Sequence, residues 1–392
     1  MITISKECTA CGACVQKCPK ACIAMKEDEN GFLFPHVDIE KCIGCCQCDR
    51  VCHLNADMRN DETEMAFACV HHSNEVLKKS TSGGAFTAIA ESIFARGGVV
   101  YGCAYVTPAE PHHIRIDRQE NMQKLRGSKY VQSAIGDSYR QALEDLRDGK
   151  WVLFTGTPCQ IAGLKAFLGK TYDTLVTADI ICHGVPSTAY FRKFIAGYEK
   201  KHRCSVLKFD FRSKNNSGWS CAGICRTENS GHIKNRKAYY FDNYYYDYFL
   251  RGEIYRDSCY SCKYANLCRP GDFTLGDFWG AEGQKLSFNA TDGCSLVLLN
   301  TEKAKSIFKE LNMYSAKADL AFAVANNAQL REPSKHTELR ETLLREYREC
   351  SAEEIQKRFE QRFRIARVKA RIKYSVPEKV RKLLLKYRYS AK

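Results

Sequence analysis

The first sixty residues carry short apolar runs separated by polar loops. The runs are Ile2–Ser5, Ala21–Met25 and Phe32–Val37, and Asn30-Gly31 stands between the last two. Asn-Gly between two apolar runs is typical of a tight β-hairpin turn. The pattern therefore predicts a small module with a hairpin over residues 1–60, and the polar, acidic Asn55–Glu64 predicts a linker at its end.

From Ala66 onward, apolar strand-like runs alternate with longer segments of helical periodicity. The predicted strands are Phe67–His71, Val99–Val106, Trp151–Phe154, Leu175–Ile181, Phe273–Gly280 and Ser295–Leu299. The predicted helices are Ala85–Ala95, Tyr139–Leu146, one ending at Leu168, and Ala189–Lys200, and helices are expected to dominate from about Thr301. Such alternation predicts a mixed α/β body, here residues 66–340, followed by a helical tail at residues 341–392.

The length and charge of the chain add one feature to this picture. A chain of 392 residues can bury a large core and is expected to hold two or three domains. Its formal net charge is +15, and residues 352–392 contain fourteen Lys and Arg against four Asp and Glu. The sequence contains no long uncharged apolar segment of the kind that spans a membrane. The basic excess therefore belongs mainly to the tail.

Apolar residues recur at helical spacing within this basic tail. They are Ile355, Phe359, Phe363, Val368 and Ile372, after which Pro377 interrupts and Val380–Leu385 resumes the apolar run. We expect a helix docked on the body with its charged face in water. The alternative is contact with an anionic membrane surface, which basic amphipathic helices make. Nucleic acid is not expected as a partner, because nothing else supplies base-reading or stacking groups.

Two tandem cysteine runs decide the chemistry of the first module. The first reads C-x2-C-x2-C-x3-C-P and the second C-x2-C-x2-C-x3-C. Three thiolates spaced in this way hold one [4Fe–4S] cluster, and the fourth cysteine of each run binds the other cluster. Zinc usually binds two C-x2-C pairs or mixed Cys/His sets instead. The predicted ligand sets are Cys8, Cys11, Cys14 and Cys52 for one cluster, and Cys18, Cys42, Cys45 and Cys48 for the other.

The surroundings of these runs add three expectations. The second run ends in Cys52-His53 where the first has Cys18-Pro19, which removes no ligand, and Cys22 and Cys46 are spare thiols expected to pack. Thiolates kept for iron indicate a reducing compartment. Because Met1 leads almost directly to the first ligand, no signal peptide is expected. We therefore predict a cytoplasmic protein, with the tail allowing peripheral contact at the inner membrane surface.

The body carries Gly, Ser, Thr and Cys where predicted strands end, which is where open sheets place ligands. Ser82-Gly83-Gly84 before a helix offers backbone amides suited to a flavin pyrophosphate, although it is more often a simple cap. Cys159 begins a helix, where a thiol pKa is lowered, so it is a nucleophile, a cluster ligand or a buried thiol. Cys182 ends another strand. Asp277 and Trp279 either line a flavin site or close the core.

A second group of cysteines lies at Cys259, Cys262 and Cys268. With Cys159 and Cys182 it can supply a third iron–sulfur centre. Alternatively, Cys259, Cys262 and Cys268 form a zinc site with one more residue, and spacing alone leaves both possibilities open. His112-His113 is expected in an exposed, Pro-flanked loop.

From about Ser80 to Gly280 the chain resembles the family of coenzyme F-420 hydrogenase/dehydrogenase beta subunits, in its bacterial type with a fused two-cluster ferredoxin. The motifs that carry the resemblance are Ser82-Gly83-Gly84, Gly127-Ser128-Lys129-Tyr130-Val131-Gln132-Ser133, Gly156-Thr157-Pro158-Cys159-Gln160, Cys182-His183-Gly184-Val185-Pro186-Ser187, the Cys259/Cys262 pair and Gly276-Asp277-Phe278-Trp279-Gly280.

This resemblance implies a mixed α/β flavoprotein body that binds non-covalent FAD and one further [4Fe–4S] cluster. The family's cluster ligands correspond to Cys159, Cys182, Cys259 and Cys262, whereas relatives need not have a cysteine at Cys268. The positions that resemble the flavin-holding parts are Ser82, Gly83, Gly84, Ser128, Lys129, Tyr130, Gln132 and Ser133. The resemblance assigns no catalytic residue, and Lys129 is expected to bring positive charge to the flavin N1 or its phosphates.

The leading functional hypothesis is an oxidoreductase that exchanges single electrons with an external carrier or redox partner protein. FAD would convert them into two-electron, hydride-type transfer. The resemblance implies an F-420-like deazaflavin, or an unidentified sugar or lipid-linked acceptor of a polysaccharide pathway, as the substrate. The alternative is a non-catalytic electron-relay subunit of a larger redox complex. A radical S-adenosylmethionine enzyme is excluded, because no C-x3-C-x2-C motif is present.

Overall fold

A computed structural model describes residues 4–376, apart from the side chains of residues 216, 217 and 282. Its strands are β1 (Ile23–Glu27), β2 (Leu33–Val37), β3 (Ala66–His71), β4 (Val99–Thr107), β5 (Glu110–Ile116), β6 (Val152–Gly156), β7 (Leu175–Ile180), β8 (Ser205–Asp210), β9 (Ala222–Asn229), β10 (His232–Tyr239), β11 (Phe273–Asp277), β12 (Ser295–Leu299) and β13 (Met313–Lys317). Part of the predicted run Ile2–Ser5, and all of Pro377 and Val380–Leu385, lie outside the described residues.

The helices are interleaved with these strands. They are α1 (Ala13–Lys17), α2 (Gln47–Arg50), α3 (Asn74–Lys79), α4 (Ala85–Ala95), α5 (Ser138–Arg147), α6 (Pro158–Leu168), α7 (Thr188–His202), α8 (Lys214–Ser217), α9 (Tyr244–Arg251), α10 (Glu302–Phe308), α11 (Leu320–Asn326), α12 (Leu339–Glu349), α13 (Ala352–Arg362) and α14 (Arg364–Ser375). Short 3₁₀ helices lie at Gln119–Lys124, Tyr240–Asp242, Asp257–Cys259, Ala281–Gly283 and Ala328–Leu330.

An eight-stranded mixed sheet forms the centre of the body, in the order β13-β3-β12-β11-β7-β6-β4-β5. The four strands β11, β7, β6 and β4 run parallel, and antiparallel strands extend the sheet at both edges. Helices cover both faces, as buried parallel strands require. The predicted mixed α/β fold is confirmed, and every strand predicted in the body is present. The prediction that helices dominate after Thr301 was incomplete, because β13 adds an edge strand there.

The first module is built on the antiparallel β1–β2 hairpin, which pairs Ile23 with Val37. Its turn passes close to the body: a Cβ at Gly31 would lie 2.5 Å from Cβ of Ala189 in α7 and 2.7 Å from the hydroxyl of Tyr347 in α12. Gly31 also has φ 76°, which favours glycine. The hairpin tip is therefore fitted between two helices of the body.

The module and the body share one hydrophobic core. Ala13, Ile23 and Val51 of the module pack in the same buried cluster as Phe154 and Ile161 of the body. Gln16 in α1 is buried, and its Oε1 accepts hydrogen bonds from the backbone N–H groups of residues 139 and 140 at the start of α5. The module is thus packed against α5 and α6.

An aromatic layer lies beyond the main sheet. A second sheet, with the antiparallel order β10-β9-β8, was not predicted from the hydrophobic pattern. It packs with α7, α9, α12 and α13 around Phe191, Phe209 and Tyr245. Ile355 and Phe359 of α13 are fully buried in the same cluster. The part of the tail that ends at Arg362 is therefore docked on the body, as expected for a helix with its charged face in water.

Candidate functional site: three cysteine-lined cavities

Eight cysteines of the first module line two separate cavities. Cys8, Cys11, Cys14 and Cys52 line one of them. Cys18, Cys42, Cys45 and Cys48 line the other, together with Cys22 and Cys46. These are the two sets that the fourth-cysteine exchange predicts. We call them the first and the second ferredoxin set.

Two short helices distribute the cysteines between these cavities. Helix α1 carries Cys14 of the first set and is capped at its end by Cys18 of the second set. Helix α2 carries Cys48 of the second set, and the chain then returns to the first set with Cys52. Each helix, with the turn that follows it, thus contributes to both cavities, and the thiols of Cys14 and Cys48 interact electrostatically.

Four cysteines of the body line a third cavity. They are Cys159, Cys182, Cys259 and Cys262, which we call the body set. Their thiols interact electrostatically with one another, and Cys182 is influenced by each of the other three. Three cavities are therefore each lined by at least four cysteines.

Local structure explains how three distant segments meet at this cavity. Cys159 stands in the first turn of α6, where Thr157 and Gln160 form a capping box and Pro158 takes the first helical position. Cys182 follows the end of β7. The third segment passes from Arg256 through a 3₁₀ turn to Cys259 and on to Cys262. The body set thus lies at the carboxyl ends of β6 and β7, where open α/β sheets place ligands.

Burial governs the protonation of these thiols. It raises the pKa of Cys159 to about 11 and that of Cys259 to about 12, and it raises the pKa of Cys182 well above its usual range. The helix start was expected to lower the pKa of Cys159, but burial outweighs that effect. Four thiolates in so small a space need compensating cations. The donor set therefore suits bound iron better than a free thiolate nucleophile.

The zinc alternative does not match this geometry. Cys268 is not among the residues that line the body cavity, and its thiol interacts with Arg59 instead. Within residues 4–376, no three His, Cys, Asp or Glu side chains converge closely enough to hold a single ion. Tetrahedral zinc would need sulfur atoms about 3.8 Å apart. A cluster fits the body set better, because its thiolates bind different irons.

The first ferredoxin set and the body set are neighbours along helix α6. Cys11 packs against Gly163, where an added Cβ would lie 2.9 Å from both Cβ and Sγ of Cys11. Cys159 stands four residues earlier on the same helix, a rise of about 6 Å. Thr9 lines both cavities. The second ferredoxin set, the first set and the body set therefore follow one another from the module into the body.

A buried hydrogen-bond chain connects the module with the loop of the body set. Nε2 of His53 lies 2.9 Å from Oγ1 of Thr9, and Nδ1 lies 2.6 Å from the hydroxyl of Tyr264. Burial lowers the pKa of His53 to about 4, so the ring is neutral near pH 7. This explains the departure from the Cys-Pro pattern at Cys52-His53. The sequence marked His53 as unusual but gave no sign of its partner Tyr264.

The residues predicted to hold the flavin occupy two different environments. Gly83 is packed against the sheet, where a Cβ would lie 2.1 Å from the carbonyl oxygen of Cys69, and its N–H donates to Oγ of Ser295 at 3.0 Å. The hydroxyl of Ser82 donates to the carbonyl of Cys294 at 2.7 Å. Gly84 is the left-handed N-cap of α4. This loop therefore has a clear packing role, which was the simpler of the two interpretations.

The second predicted loop is held by several interior contacts. Nζ of Lys129 donates to the carbonyls of residues 125–127 at 3.0–3.2 Å. Tyr130 stacks on Phe249 with ring centroids 4.1 Å apart. Gln132 donates to the carbonyl of Thr9 at 2.9 Å, and Ser133 bonds to His113 at 3.0 Å. Gln132 thus faces the module, and Ser133 faces the interior of the body.

A polar cluster beside Tyr130 was only partly anticipated. Asp277 forms an ion pair with the buried Arg212 and accepts a hydrogen bond from Nε1 of Trp219 at 2.8 Å. Trp219 stacks on Trp279 with centroids 5.3 Å apart. Asp277 and Trp279 were candidates from the sequence, whereas Arg212 and Trp219 were missed, because single Arg and Trp residues carry no motif.

No helix within residues 4–376 is long and apolar enough to cross a membrane. Two family models match the chain, and both describe the beta subunit of coenzyme F420 hydrogenase/dehydrogenase. The model of its N-terminal part matches residues 66–138, and the model of its C-terminal part matches residues 149–319. Together they cover more than half of the sequence.

Individual similar proteins come from Methanosarcina species. The F subunit of F(420)H(2) dehydrogenase from Methanosarcina mazei is 24% identical over 178 residues, which are 43% of this chain and 51% of that protein. The Rpo3 subunit of DNA-directed RNA polymerase from Methanosarcina acetivorans is 43% identical over 56 residues, 14% of this chain and 20% of that protein. The chain thus spans about half the length of the first relative and a fifth of the second.

Among solved structures, a chain of the F420-reducing [NiFe] hydrogenase complex from Methanosarcina barkeri is similar with a TM-score of 0.42 and 17% identity, covering 78% of this chain and 94% of that chain.

Proposed function

Because the chain belongs to the family of coenzyme F420 hydrogenase/dehydrogenase beta subunits, we propose that it is a cytoplasmic iron–sulfur flavoprotein oxidoreductase. It passes electrons between a one-electron carrier or redox partner protein and a two-electron substrate. Family membership supports a redox role. The observation that carries the finer proposal is the succession of three cysteine-lined cavities from the module into the body.

The residues that would hold the clusters are the twelve cysteines of the two ferredoxin sets and the body set. Bound [4Fe–4S] clusters would supply single-electron transfer at these positions. The protein keeps them in a fixed order. Helices α1 and α2, each with the turn that follows it, contribute to both ferredoxin sets, and α6 carries Cys159 near the contact of Gly163 with Cys11. The four cysteines of the body set are partly buried at the inner end of this path.

FAD is the part of the proposal that rests on the family resemblance at Ser82–Gly84 and Ser128–Ser133. A bound flavin would couple one-electron to two-electron chemistry. The start of α4 after Gly84 provides a helix N-terminus, which favours a phosphate group. Tyr130 and the Arg212–Asp277 pair supply aromatic and charged groups near the second loop. The substrate proposed is an F-420-like deazaflavin or a sugar or lipid-linked acceptor.

The proposal is tested by anaerobic quantification of iron, sulfide and flavin on reconstituted protein. Three cubanes predict about twelve irons per chain, with one FAD. The Cys159→Ser variant is expected to lose about four irons, whereas Cys268→Ser keeps about twelve, because Cys268 lies outside the body cavity. About eight irons in the wild-type protein would contradict the third cluster. Reconstituted protein without bound flavin would contradict FAD as a cofactor.

A second experiment addresses the substrate. Reduced deazaflavin is added anaerobically to flavin-loaded protein, and bleaching of the flavin absorbance is expected. Protein that is not bleached by deazaflavin but is reduced by ferredoxin would point to the sugar or lipid-linked acceptor. The alternative function, an electron-relay subunit of a larger complex, predicts that the isolated chain turns over no two-electron substrate until a partner protein is added.

We further propose that helix α14 contacts an anionic membrane surface. Its inward side carries Ala370, which is buried, and Arg367, which donates to the carbonyl of Phe241 at 2.7 Å. The opposite side exposes Ile365, Val368 and Ile372, which are 72%, 49% and 63% exposed. Helical geometry places these three residues on one stripe. Docking therefore accounts for α13 but leaves an apolar stripe of α14 facing away from the protein.

The positive charge of α14 indicates that an anionic membrane surface covers this stripe. Helix α14 has five Arg and Lys and no Asp or Glu, and basic residues beside an exposed apolar stripe bind anionic lipid. Wild-type protein is expected to float with vesicles that contain phosphatidylglycerol, and to be released by salt. The triple variant Ile365→Ser, Val368→Ser and Ile372→Ser should remain in the soluble fraction. Equal flotation of both proteins would contradict membrane contact.

A further inference from the structure

Arg256 is a buried cation at the boundary between the module and the body. Its side chain is 1% exposed. Nη1 donates to the carbonyl of Cys8 at 3.0 Å, and Nη2 donates to the carbonyl of Leu33 at 2.6 Å. Nε donates to Oε1 of Gln132 at 3.1 Å. The guanidinium therefore joins the first cysteine run, the hairpin and the body.

The hydrogen-bond partners of Arg256 are all neutral. Three other arginines are buried in the described part of the chain, and each forms an ion pair with an aspartate. The pairs are Arg212–Asp277, Arg269–Asp179 and Arg340–Asp257. Arg256 forms no such ion pair within residues 4–376; Asp28 attracts it only from beyond ion-pair distance. An isolated buried charge is costly to desolvate. We therefore expect a negative group close to the buried guanidinium of Arg256.

The cysteine sets are the groups around this side chain that become negative when they bind a cluster. Arg256 lines the body cavity, and its charge interacts with the thiols of Cys8, Cys159 and Cys259. The other side of the guanidinium is covered by the rings of Phe32 and Phe34, at 5.3 and 4.6 Å from their centroids. These rings exclude water, so the charge is weakly screened. The hydrogen bonds of Arg256 and the cavity it lines all lie on the side of the first ferredoxin set and the body set.

We propose that Arg256 is the counter-charge shared by the first ferredoxin set and the body set, and that it raises the reduction potentials of both clusters relative to the second ferredoxin set. This inference rests on the proposed function. A cubane bound by four thiolates is anionic and becomes more negative when it accepts an electron. A fixed positive charge stabilises the reduced form more than the oxidised form, because net charge sets cluster potentials. Electrons arriving at the second set are thereby drawn inward.

Arg256 is a positioning residue, since it touches ligand-bearing backbone and not substrate. The test is a potentiometric titration of reconstituted protein followed by electron paramagnetic resonance. In Arg256→Gln, the reduction equilibria of the first set and the body set should shift at least tenfold toward the oxidised form. This corresponds to about 59 mV for one electron. The second set is the internal reference and should not move.

Three further variants separate charge from packing. Arg256→Lys keeps the charge and should restore most of the shift. Gln132→Glu leaves Arg256 in place but puts a carboxylate on its Nε, so the two near clusters should again become harder to reduce. This variant keeps the inference testable if Arg256→Gln does not fold. Gln16→Met loosens the same module–body boundary without changing a charge, and it should not move the potentials.

The outcomes distinguish this inference from the proposed function. Wild-type protein that lacks a third cluster in iron analysis and spectroscopy overturns the proposed function. If three clusters are present but all potentials shift equally in Arg256→Gln, or none shifts, the counter-charge role is wrong. If Gln16→Met produces the same shift as Arg256→Gln, the effect comes from packing, and the inference is also overturned.

Discussion

The imidazole of His113 is buried beside β6, at 6% exposure. Nε2 lies 2.9 Å from the carbonyl oxygen of Thr155, which can only accept, so Nε2 carries the proton and Nδ1 accepts from the hydroxyl of Ser133 at 3.0 Å. The expectation that His112-His113 lies in an exposed loop was wrong, because both residues belong to strand β5. The adjacent Pro111 suggested a loop, although proline is tolerated on an edge strand.

This residue gives the protein a specific pH dependence. Burial lowers the pKa of His113 from 6.5 to about 4. The unfolded chain therefore binds a proton more readily, and the contribution of the neutral ring is full above pH 6.5 and is lost as the pH falls toward 4. The loss is roughly 3 kcal/mol.

The measurement is the free energy of unfolding of wild-type protein and His113→Gln between pH 4 and 7.5. The difference between the two proteins should shrink as the pH falls, because glutamine does not titrate. A difference that stays constant over this range would show that His113 has an ordinary pKa in the folded protein.

Helix α6 contributes to two cysteine sets, because it carries Cys159 in its first turn and packs against Cys11 at Gly163. An added methyl at Gly163 would stand 2.9 Å from Cys11 and 3.0 Å from the hydroxyl of Tyr139. Gly163→Ala should lower the free energy of unfolding by about 1–3 kcal/mol, although alanine favours helices.

Gly283→Ala provides a matched control, because its added Cβ would meet open space. Its effect should stay within about 0.5 kcal/mol. Thermal or denaturant unfolding of the two variants decides the matter. Equal effects would mean that α6 and the Cys11 loop are not in close contact.

At the level of elements, the hydrophobic pattern was informative where strands or helices are strongly apolar. The ends of α4 and β12 were predicted to the residue, because Ala85–Ala95 and Ser295–Leu299 are bounded by clear polar or glycine positions. The edge strand β10 was missed, since His232–Tyr239 is largely exposed and rich in polar residues. Such strands are held by their neighbours and not by their own apolar pattern.

The cysteine sites show the same limits. Spacing within the two runs, with exchange of their fourth cysteines, was enough to predict the two ferredoxin sets, because three ligands of each set are near one another in sequence. The body set needed the family resemblance, since Cys159, Cys182 and Cys259 come from three segments that only the fold brings together. Arg256 and Tyr264 could not be found from the sequence, because their role depends entirely on tertiary contacts.

At the scale of the whole molecule, one core extends across the boundary between module and body. Metal that stabilises the module should therefore stabilise the body as well. Removing iron from reconstituted protein with a chelator is expected to lower the melting temperature of the whole chain in one transition. Calorimetry can check this, and two separate transitions, with only the first sensitive to iron, would contradict the shared core.

The glycine turn seated between α7 and α12 has a consequence for how the module works. Gly31 leaves no room for a side chain between Ala189 and Tyr347, so the hairpin cannot leave its seat without opening contacts on the body. The module is therefore expected to stay docked on the body during electron transfer and not to swing between the body and a partner. A partner must travel to it, and lengthening the 55–64 segment with glycine and serine should leave the rate of internal electron transfer unchanged.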